Sequence, residues 1–414
     1  MYYGSMESGG QGVWLANVTR ELARRGHEVH AISGPPYPSL DPAVHHHRMH
    51  THSFQHMMLD RRAYFHDVPP LAHLHPLNFY EFATSRFTFA SLLAVFSVRA
   101  LAKLAEIERK HGAFDVIHDN QTLSYGVLMA RNMLGRPVVA TVHHPLDMDV
   151  RNGLRHLTSV KARALRIAWY PWKMQPFVAR RIDAVVFPSR ASKDLTASLW
   201  SLPRDRLEVA YNGVDTALFH APERDETRPG TLLFVGNAED YNKGAVYLLR
   251  ALALLPKSVN AHLYMVGGPS GAARVAPAEI ARLGIEERVT IVGCVSETEL
   301  AAWYRRAQVL VSPSLYEGFG LPAAEAMACG TPVIATDAGA LPEVVADGET
   351  GMIVPAADEH ALAGAISALL ADPERCHRMG AAGQARVRAR FTWEHNARTL
   401  EAVYRRVVST RNAP

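Results

Sequence analysis

Two carboxylates flank a glycine-rich turn in the stretch SLYEGFGLPAAEAMACG, residues 314–330. Pro322 suits the first position of a helix and Gly330 its end, which predicts a short helix from about Pro322 to Cys329. The apolar run AQVLVSPS before it predicts a buried strand, so that Gly320 lies in a strand–loop–helix turn. Unpaired amide groups at such a helix N-terminus bind anions, and glycine lets a ligand approach the backbone closely.

Glu317 lies in this loop, and Glu325 falls in the first turn of the predicted helix. Both carboxylates can therefore reach one bound molecule, and carboxylates accept hydrogen bonds from sugar hydroxyls. An anion site beside them indicates a ligand that carries phosphate and hydroxyl groups, such as a nucleotide sugar. The alternative is structural: Glu325 stabilises the positive end of the helix, and Glu317 is a solvated loop residue.

Other polar side chains also follow predicted strands. Lys243, in FVGNAEDYNKG, lies between a strand and a helix, where a lysine can neutralise a diphosphate or simply face solvent. His143 and His144, in TVHHP, lie at a strand end, where α/β folds keep functional groups. Either ring could polarise a sugar or a leaving group, or could be a buried histidine bonded to the backbone.

A second glycine loop, ESGGQG at residues 7–12, directly precedes a helix pattern. Gly10 and Gly12 would let backbone amides approach a diphosphate, although a tight turn explains them almost as well. The triplet DMD at residues 147–149 matches a short metal-binding motif, but three-residue matches arise easily by chance. We give this match little weight.

Strand and helix patterns that would position these residues alternate in both halves of the chain. The first half begins with the helix GVWLANVTRELARR, a Gly26 stop and the strand EVHAIS, followed by strands in FDVIHDN, PVVATVHH, DAVVFPS and RLEVAYNG. The second half has strands in TLLFVGN, HLYMVGG, VTIVGCV, QVLVSPS and TPVIATD, and helices such as AVYLLRALALL. This alternation predicts two parallel α/β domains whose ligands lie at the carboxyl ends of the strands.

The predicted domain limits follow from composition. We place the first domain at residues 1–219, a polar linker HAPERDETRPG at 220–230, and the second domain at 231–390. The remaining residues, 391–414, form an amphipathic helix that we expect to pack back on the first domain.

Residues 35–85 show no regular pattern and hold a cluster of histidines, which are His45, His46, His47, His50, His52 and His56. Imidazole is a common metal ligand. Because no Asp, Glu or Cys lies among these histidines, a mobile surface loop is favoured over a metal site.

Bulk properties exclude several classes of protein. The 414 residues are 48% hydrophobic and 20% charged, without an apolar stretch long enough to cross a membrane or an N-terminal secretory signal. The three cysteines are widely spaced, which favours a protein of the reducing cytoplasm. We expect no nucleic acid partner.

Positive charge is concentrated in the first half. The first 219 residues carry 25 Lys and Arg against 18 Asp and Glu, whereas the rest carry 19 against 22. Between Arg151 and Arg181 basic residues occur without one acid, and the aromatic segment IAWYPWK lies among them. A solvated helix face is the usual explanation, and peripheral contact with the inner membrane surface is the alternative.

The stretch SPSLYEGFGLPAAEAMACGTPVIATDAGALPEVVADGETGMIVP, residues 312–355, resembles the signature region of glycosyltransferase family 4. The resemblance continues in the family's order through SGGQG, ELARRGHEV, TVHH, YNGVDTALF, NKG and FTWEHNARTLEAVY. It implies the GT-B fold, with two Rossmann-like domains facing a central cleft, the first on the acceptor side and the second holding the donor. It also implies retaining transfer of a hexose or N-acetylhexosamine from a UDP- or GDP-linked sugar to a glycan, lipid-linked or small-molecule acceptor.

The resemblance further implies a role for each donor-site residue. Glu317 would contact donor sugar hydroxyls, Glu325 would hold the ribose, and Lys243 would bind the diphosphate opposite the amides near Gly320 and Leu321. In the first domain, Gly10 and Gly12 would face the diphosphate, and His143 would lie by the sugar and the acceptor. No metal would be needed, because the lysine and the helix N-terminus supply the positive charge.

The chain departs from the family pattern in two places. Where the family has an arginine six residues before the lysine, this chain has Asn237, so one cation on the diphosphate is missing. Only MYYGSMES precedes the first glycine loop, where the family has an apolar strand, and we expect the upstream reading frame to encode that strand. Both departures keep open the alternative of a catalytically weak sugar-nucleotide-binding protein. A sugar-nucleotide epimerase or phosphorylase of the same fold is a second alternative.

Overall fold

The chain packs into two compact units. A computed structural model describes residues 10–35, 37–59, 61–67, 69–143, 145, 159, 161, 163, 173–223, 226–268 and 274–412. Within these, unit 1 comprises residues up to 188, residues 192–210 and residues from 397 onward, and unit 2 comprises residues 189–191 and 211–396.

The segment predicted as a linker lies inside unit 2. The chain enters this unit at residue 211, ahead of residues 220–230. Val214 pairs with Thr392, and the Phe219 ring packs edge-on against Tyr304 with 5.9 Å between centroids. These contacts anchor the residues before the predicted linker to unit 2.

Unit 1 contains helices of 6 to 23 residues and six strands among the residues that the structure describes. The helices are α1 (Gly10–Arg24), α2 (Phe54–Leu59), α3 (Arg61–Asp67), α4 (Pro76–Thr84), α5 (Phe89–His111), α6 (Tyr125–Met133), α7 (Met174–Ala179) and α8 (Arg190–Trp200), whose first residues belong to unit 2. The strands are β1 (His30–Ser33), β2 (His45–Arg48), β3 (Ile117–Asn120), β4 (Val138–Thr141), β5 (Ala184–Phe187) and β6 (Leu207–Val209). Two 3-10 turns span Pro70–Leu74 and Arg204–Arg206.

The strands of unit 1 pair in parallel, as the sequence predicts. They form a four-stranded sheet of order β3-β4-β5-β6 and a separate β1-β2 pair. Val138, Val139 and Ala140 are completely buried, which is typical of a parallel strand covered on both faces. Gly26 has φ +90° and follows α1, where the sequence predicts a helix stop.

The prediction of a mobile loop at the histidine cluster is wrong for His45–Arg48. These residues form β2, whose ends are fixed by His45 N–H donating to Val29 O at 2.9 Å and Met49 N–H donating to Ser33 O at 2.8 Å. The alternation that marks a strand is hidden because three successive residues are identical. In the structure His46 bonds Ser33 on one face, while His45 and His47 pack against His30 on the other.

Unit 2 is built around one six-stranded parallel sheet. Its strands are β7 (Thr231–Val235), β8 (His262–Val266), β9 (Val289–Gly293), β10 (Val309–Ser312), β11 (Val333–Thr336) and β12 (Gly351–Val354), in the order β12-β11-β10-β7-β8-β9. Its helices are α9 (Ala245–Leu254), α10 (Val275–Leu283), α11 (Glu297–Arg306), α12 (Leu321–Ala328), α13 (Leu341–Val344), α14 (Glu359–Leu370) and α15 (Pro373–Arg390). Two 3-10 turns span Tyr241–Lys243 and Glu286–Arg288.

The strand order of unit 2 has one direct consequence for the site. β7 and β10 are hydrogen-bonded neighbours, with Val309 opposite Leu232 and Leu310 opposite Leu233. Because the two strands are parallel, their carboxyl ends meet at one edge of the sheet. The loops that follow them must therefore lie side by side.

The C-terminal helix α16 (Trp393–Asn412) returns to unit 1, as the sequence predicts. Its Glu401 accepts hydrogen bonds from Arg25 at 2.8 Å, and the Tyr404 hydroxyl lies 2.6 Å from Nδ1 of His118 on β3. The helix therefore packs beside α1 and β3.

Among the residues that the structure describes, no helix is long and apolar enough to cross a bilayer. Cys294, Cys329 and Cys376 are free thiols, and only Cys294 is exposed.

A cavity of about 470 Å³ lies in unit 1 between the β1-β2 pair and the four-stranded sheet. Its walls come from β1, β3, α1 and α16, and they include Trp14, Val18, Ile32, Ile117 and Tyr404. Within the described part of the chain, β1 pairs only with β2 and β3 only with β4, so each has an edge that could accept a further parallel strand.

Filling this cavity is expected to stabilise unit 1. A variant that carries an additional apolar strand of about 5–6 residues ahead of Met1 should melt at a higher temperature, because the strand buries apolar surface and pairs with backbone groups of β1 and β3. The control is an extension of equal length made of glycine and serine. Equal melting temperatures for the two extended proteins, measured by calorimetry, would contradict the expectation.

Candidate functional site

Two opposite charges meet at the carboxyl edge of the unit 2 sheet. Nζ of Lys243, in the loop after β7, lies 2.6 Å from Oε1 of Glu317, in the loop after β10. The Ser314 hydroxyl donates to the same carboxylate oxygen at 3.1 Å. The side chains of Lys243 and Glu317 are 27% and 13% exposed, so the pair is largely shielded yet open to a ligand.

The position of Lys243 is set by a tight turn. The Asp240 carboxylate accepts from the Asn242 amide at 2.9 Å at the start of the 3-10 turn, and Gly244 leaves the turn with φ +66° into α9. Leu315 N–H donates to Asn242 O at 2.7 Å, which joins the loops after β7 and β10. The two loops therefore form one hydrogen-bonded surface.

The charge state of Lys243 follows from its surroundings. Burial by itself lowers the pKa of a lysine, but the adjacent Glu317 carboxylate outweighs burial, and the pKa of Lys243 is raised above its usual value. Lys243 is therefore a cation at neutral pH. A phosphate that binds here competes with Glu317 for that cation.

The glycine turn before α12 has the predicted form. Gly320 has φ +95°, and α12 runs from Leu321 to Ala328, within one residue of the predicted limits. A Cβ on Gly320 would lie 2.8 Å from a methyl carbon of Leu341, so this position has little room for a side chain. The first amide groups of a helix lack partners within it, which is the feature that suits such a turn to an anion.

Glu325 lies just past the first turn of α12, one residue further from the helix start than predicted. Residues 321–324 form the first turn of this helix, so the prediction that Glu325 lies in that turn is wrong. The hydroxyl of the fully buried Tyr304 donates to its carboxylate at 2.8 Å. Burial raises the pKa of Glu325 to about 7, although the hydrogen bond from Tyr304 acts in the opposite direction.

Asn237 occupies the turn that follows β7. Its side-chain oxygen accepts from the Glu239 amide at 3.0 Å, and its own carbonyl accepts from the Asp240 amide at 3.0 Å. Asn237 is exposed and stabilises the turn that leads to Lys243. This structural role was not predicted from the sequence.

The sequence did not predict the hydrogen-bond partner of either glutamate, which is Ser314 for Glu317 and Tyr304 for Glu325. Ser314 stands three residues before Glu317, so its spacing was a usable signal. Tyr304 lies on α11 and meets Glu325 only through the packing of α11 against α12. No local pattern reports such a contact.

In unit 1, His143 follows β4 and is 8% exposed. Its Nε2 lies 2.7 Å from Oδ1 of Asn120, and its backbone N–H donates to Oε1 of Gln121 at 2.6 Å. The Asn120 amide group donates to the Gln11 carbonyl in the first turn of α1 at 3.2 Å. The structure therefore links His143 to the glycine-rich start of α1 through Asn120.

This linkage assigns the His143 tautomer. Because the Asn120 amide nitrogen faces Gln11, its oxygen faces His143, so Nε2 of the neutral ring carries the proton. The lone pair of the neutral ring then resides on Nδ1. His143 is thus a ring with a fixed tautomer at the carboxyl end of β4.

Gly10 is the first residue of α1, and Gly12 is buried in its first turn. Residues 7–9 of the same loop lie outside the described residues, as do His144 and the triplet at 147–149. Most of the basic segment from Arg151 to Arg181 also lies outside them.

The residues after β3 adopt an unusual backbone. Gln121 and Leu123 have φ +60° and +40°, values that are uncommon for residues other than glycine. The buried Asp119 carboxylate accepts from the Leu123 amide at 2.7 Å and stabilises this turn. The turn holds Gln121 against the backbone of His143, and sequence reasoning did not find it.

Family models and curated relatives both match along most of the chain. The model described as Glycosyltransferase Family 4 matches residues 8–218, and the model described as Glycosyl transferases group 1 matches residues 215–386. An MMP alpha-(1->4)-mannosyltransferase from Mycolicibacterium hassiacum is 36% identical over 99% of this chain and 97% of its own. A D-inositol 3-phosphate glycosyltransferase from Xylanimonas cellulosilytica is 31% identical over 99% of this chain and 94% of its own.

Solved structures share the fold. Sucrose-phosphate synthase from Thermosynechococcus elongatus has a TM-score of 0.72 and 25% identity, covering 97% of this chain and 94% of its own. The Anabaena protein Alr3699/HepE in complex with UDP and glucose has a TM-score of 0.69 and 19% identity, covering 98% of each chain.

Substitution of Gly244 is expected to displace Lys243. An added Cβ would lie 1.9 Å from the Pro313 carbonyl oxygen, so Gly244→Ala should destabilise unit 2 and weaken any ligand that Lys243 holds. Gly284→Ala is a matched control, because Gly284 has a similar φ of +64° and the described residues place no atom within 4 Å of the added Cβ. Equal losses of melting temperature in the two variants would show that contact with Pro313 is unimportant.

Glu325 is expected to make stability depend on pH. The folded chain binds its proton more tightly than the unfolded chain, so the wild type should lose stability from this group as pH rises from about 4.5 to about 7. Glu325→Gln cannot ionise, so its melting temperature relative to wild type should rise across the same window. Glu349→Gln, at an exposed position, controls for removal of a charge. A melting-temperature difference between Glu325→Gln and wild type that is the same at every pH would contradict the assignment.

Proposed function

Because this chain belongs to glycosyltransferase family 4 and is a glycosyltransferase with the GT-B fold, we propose that it moves a hexosyl or N-acetylhexosaminyl group from a UDP- or GDP-linked sugar to an acceptor with retention of anomeric configuration. The observation that carries the proposal is the ion pair of Lys243 and Glu317 at the carboxyl edge of the unit 2 sheet. A cation and a carboxylate side by side suit a ligand in which a phosphate adjoins a sugar.

Unit 2 would hold the donor. The Lys243 ammonium would bind the diphosphate together with the amides near Gly320 and Leu321, where the positive end of α12 favours an anion. Glu317, released from Lys243, would accept hydrogen bonds from sugar hydroxyls. Glu325 would accept from the ribose hydroxyls.

The same groups would stabilise the leaving group. Negative charge grows on the diphosphate as its bond to the sugar breaks, and a preorganised cation and helix N-terminus stabilise that charge without a metal. The departing phosphate would accept the proton of the attacking hydroxyl, which keeps the reaction on one face of the sugar. Asn237 supplies no charge here, so Lys243 would be the main side-chain cation.

Unit 1 would act on the acceptor side. Its His143, with the tautomer set by Asn120, would lie by the sugar and the acceptor hydroxyl, and the start of α1 at Gly10 and Gly12 would contribute backbone amides. The acceptor class stays open among a glycan, a lipid-linked sugar and a small molecule. Peripheral membrane contact through residues 151–181 also stays a prediction.

The donor is the first point to test. The purified chain should be incubated with UDP- and GDP-linked sugars, beginning with a mannosyl donor because the relative from Mycolicibacterium hassiacum is named as a mannosyltransferase. Mass spectrometry should detect nucleoside diphosphate release from one donor. NMR of the product, once an acceptor is found, reports whether configuration is retained.

Variants make this test specific to the site. Lys243→Met and Glu317→Gln should each lower turnover of that donor by at least about tenfold, since each removes a charge that contacts the reacting part of the ligand. Lys257→Met and Glu349→Gln, both at exposed positions, are the matched controls and should retain activity. Turnover of no donor, or equal activity in all four variants, would overturn the proposal.

A further inference from the structure

A second group of ionisable side chains lies at the amino end of β1, away from the strand ends that carry His143. Glu28 precedes β1, His30 begins it, and His111 is the last residue of α5. One ligand atom from each of the three lies within 4.8 Å of the others. None of these residues is used in the proposed transfer.

The geometry of the three groups suits a small cation. Nε2 of His30 lies 2.9 Å from Oε1 of Glu28, and Nδ1 of His111 lies 3.9 Å from the same oxygen. Ligand atoms around one tetrahedral zinc ion lie about 3.3 Å apart, given metal–ligand distances near 2.0–2.1 Å. The distances from Glu28 Oε1 to the two histidine nitrogens lie on either side of that value, and the two histidine ligand atoms lie within 4.8 Å of each other.

The three side chains differ in how far they are exposed to solvent. The His30 side chain is 2% exposed, whereas Glu28 is 61% and His111 is 41% exposed. His30 is therefore fixed, while Glu28 and His111 can rotate by small amounts to complete a coordination sphere. All three also line the cavity beside β1, which gives an ion access to them.

A fourth histidine orients the first. Nε2 of His47 on β2 lies 2.9 Å from Nδ1 of His30, and the two rings are stacked with an angle of 6° between them. Without an ion, Nε2–H of His30 donates to the Glu28 carboxylate, which can only accept. An ion bound at Nε2 would replace that proton, and Nδ1–H of His30 would then donate to Nε2 of His47. Metal-binding histidines commonly have such a hydrogen-bonded partner.

We propose that Glu28, His30 and His111 bind one zinc ion, with solvent as the fourth ligand and His47 as the positioning residue. Two imidazoles and a carboxylate form a ligand set that zinc accepts. Bound zinc would connect the end of α5 to the start of β1. The site is distinct from the donor site, so the proposal does not depend on the proposed function.

The test is zinc binding to the full chain after removal of metal with a chelator. Calorimetric titration with zinc chloride should show one equivalent bound, and the melting temperature should rise with free zinc concentration. His111→Gln, at an exposed position, should fold normally and lower zinc affinity by more than about tenfold. His47→Gln should lower it by about 10–100-fold, as expected for an orienting partner.

His46→Gln is the matched control, because His46 lies on the same strand but bonds Ser33 on the opposite face. Its zinc affinity should equal that of the wild type. Absence of zinc binding would overturn the proposal. Binding that falls with His46→Gln and not with His111→Gln would also overturn it, since it would show nonspecific binding by the histidine triplet.

Discussion

The ion pair of Lys243 and Glu317 is the interaction on which the candidate donor site depends. Its two members come from different loops and meet at 2.6 Å because β7 and β10 are neighbours in the sheet. Close packing of the loops explains why glycine occurs around the pair. Gly244 lies against Pro313, and Gly339 lies so close to the Glu317 carbonyl that a Cβ would approach it to 2.3 Å. The glycines thus allow the loops to pack closely enough for Lys243 and Glu317 to form their ion pair.

Both units place polar side chains just after their parallel strands, but the side chains differ between the units. In each, polar side chains follow the carboxyl ends of parallel strands, where the loops rather than the strands line the sheet edge. Unit 2 presents charges, whereas unit 1 presents His143 with a tautomer set by Asn120. The histidine and glutamate group at the amino end of β1 lies outside this pattern, which is why it suggests a role other than transfer.

Sequence reasoning found the features that are local. The strand–glycine–helix turn at Gly320 and the alternation of strands and helices leave patterns within a few residues, and both were predicted correctly. Contacts between distant segments were missed, such as Tyr304 with Glu325 and Asn120 with His143. β2 was missed because a run of identical histidines shows no polar and apolar alternation. Pairing with β1 decides its structure, and pairing is a tertiary property.

The central claim is that Lys243 binds the diphosphate and Glu317 binds the sugar. It is tested most directly by calorimetric affinities of Lys243→Met and Glu317→Gln for three ligands: the nucleoside, its diphosphate and the nucleotide sugar. Lys243→Met should weaken the diphosphate and the nucleotide sugar, but not the nucleoside. Glu317→Gln should weaken the nucleotide sugar alone, and should bind the diphosphate at least as tightly as wild type because a competing carboxylate is gone. Equal weakening of the diphosphate by both substitutions would contradict the account.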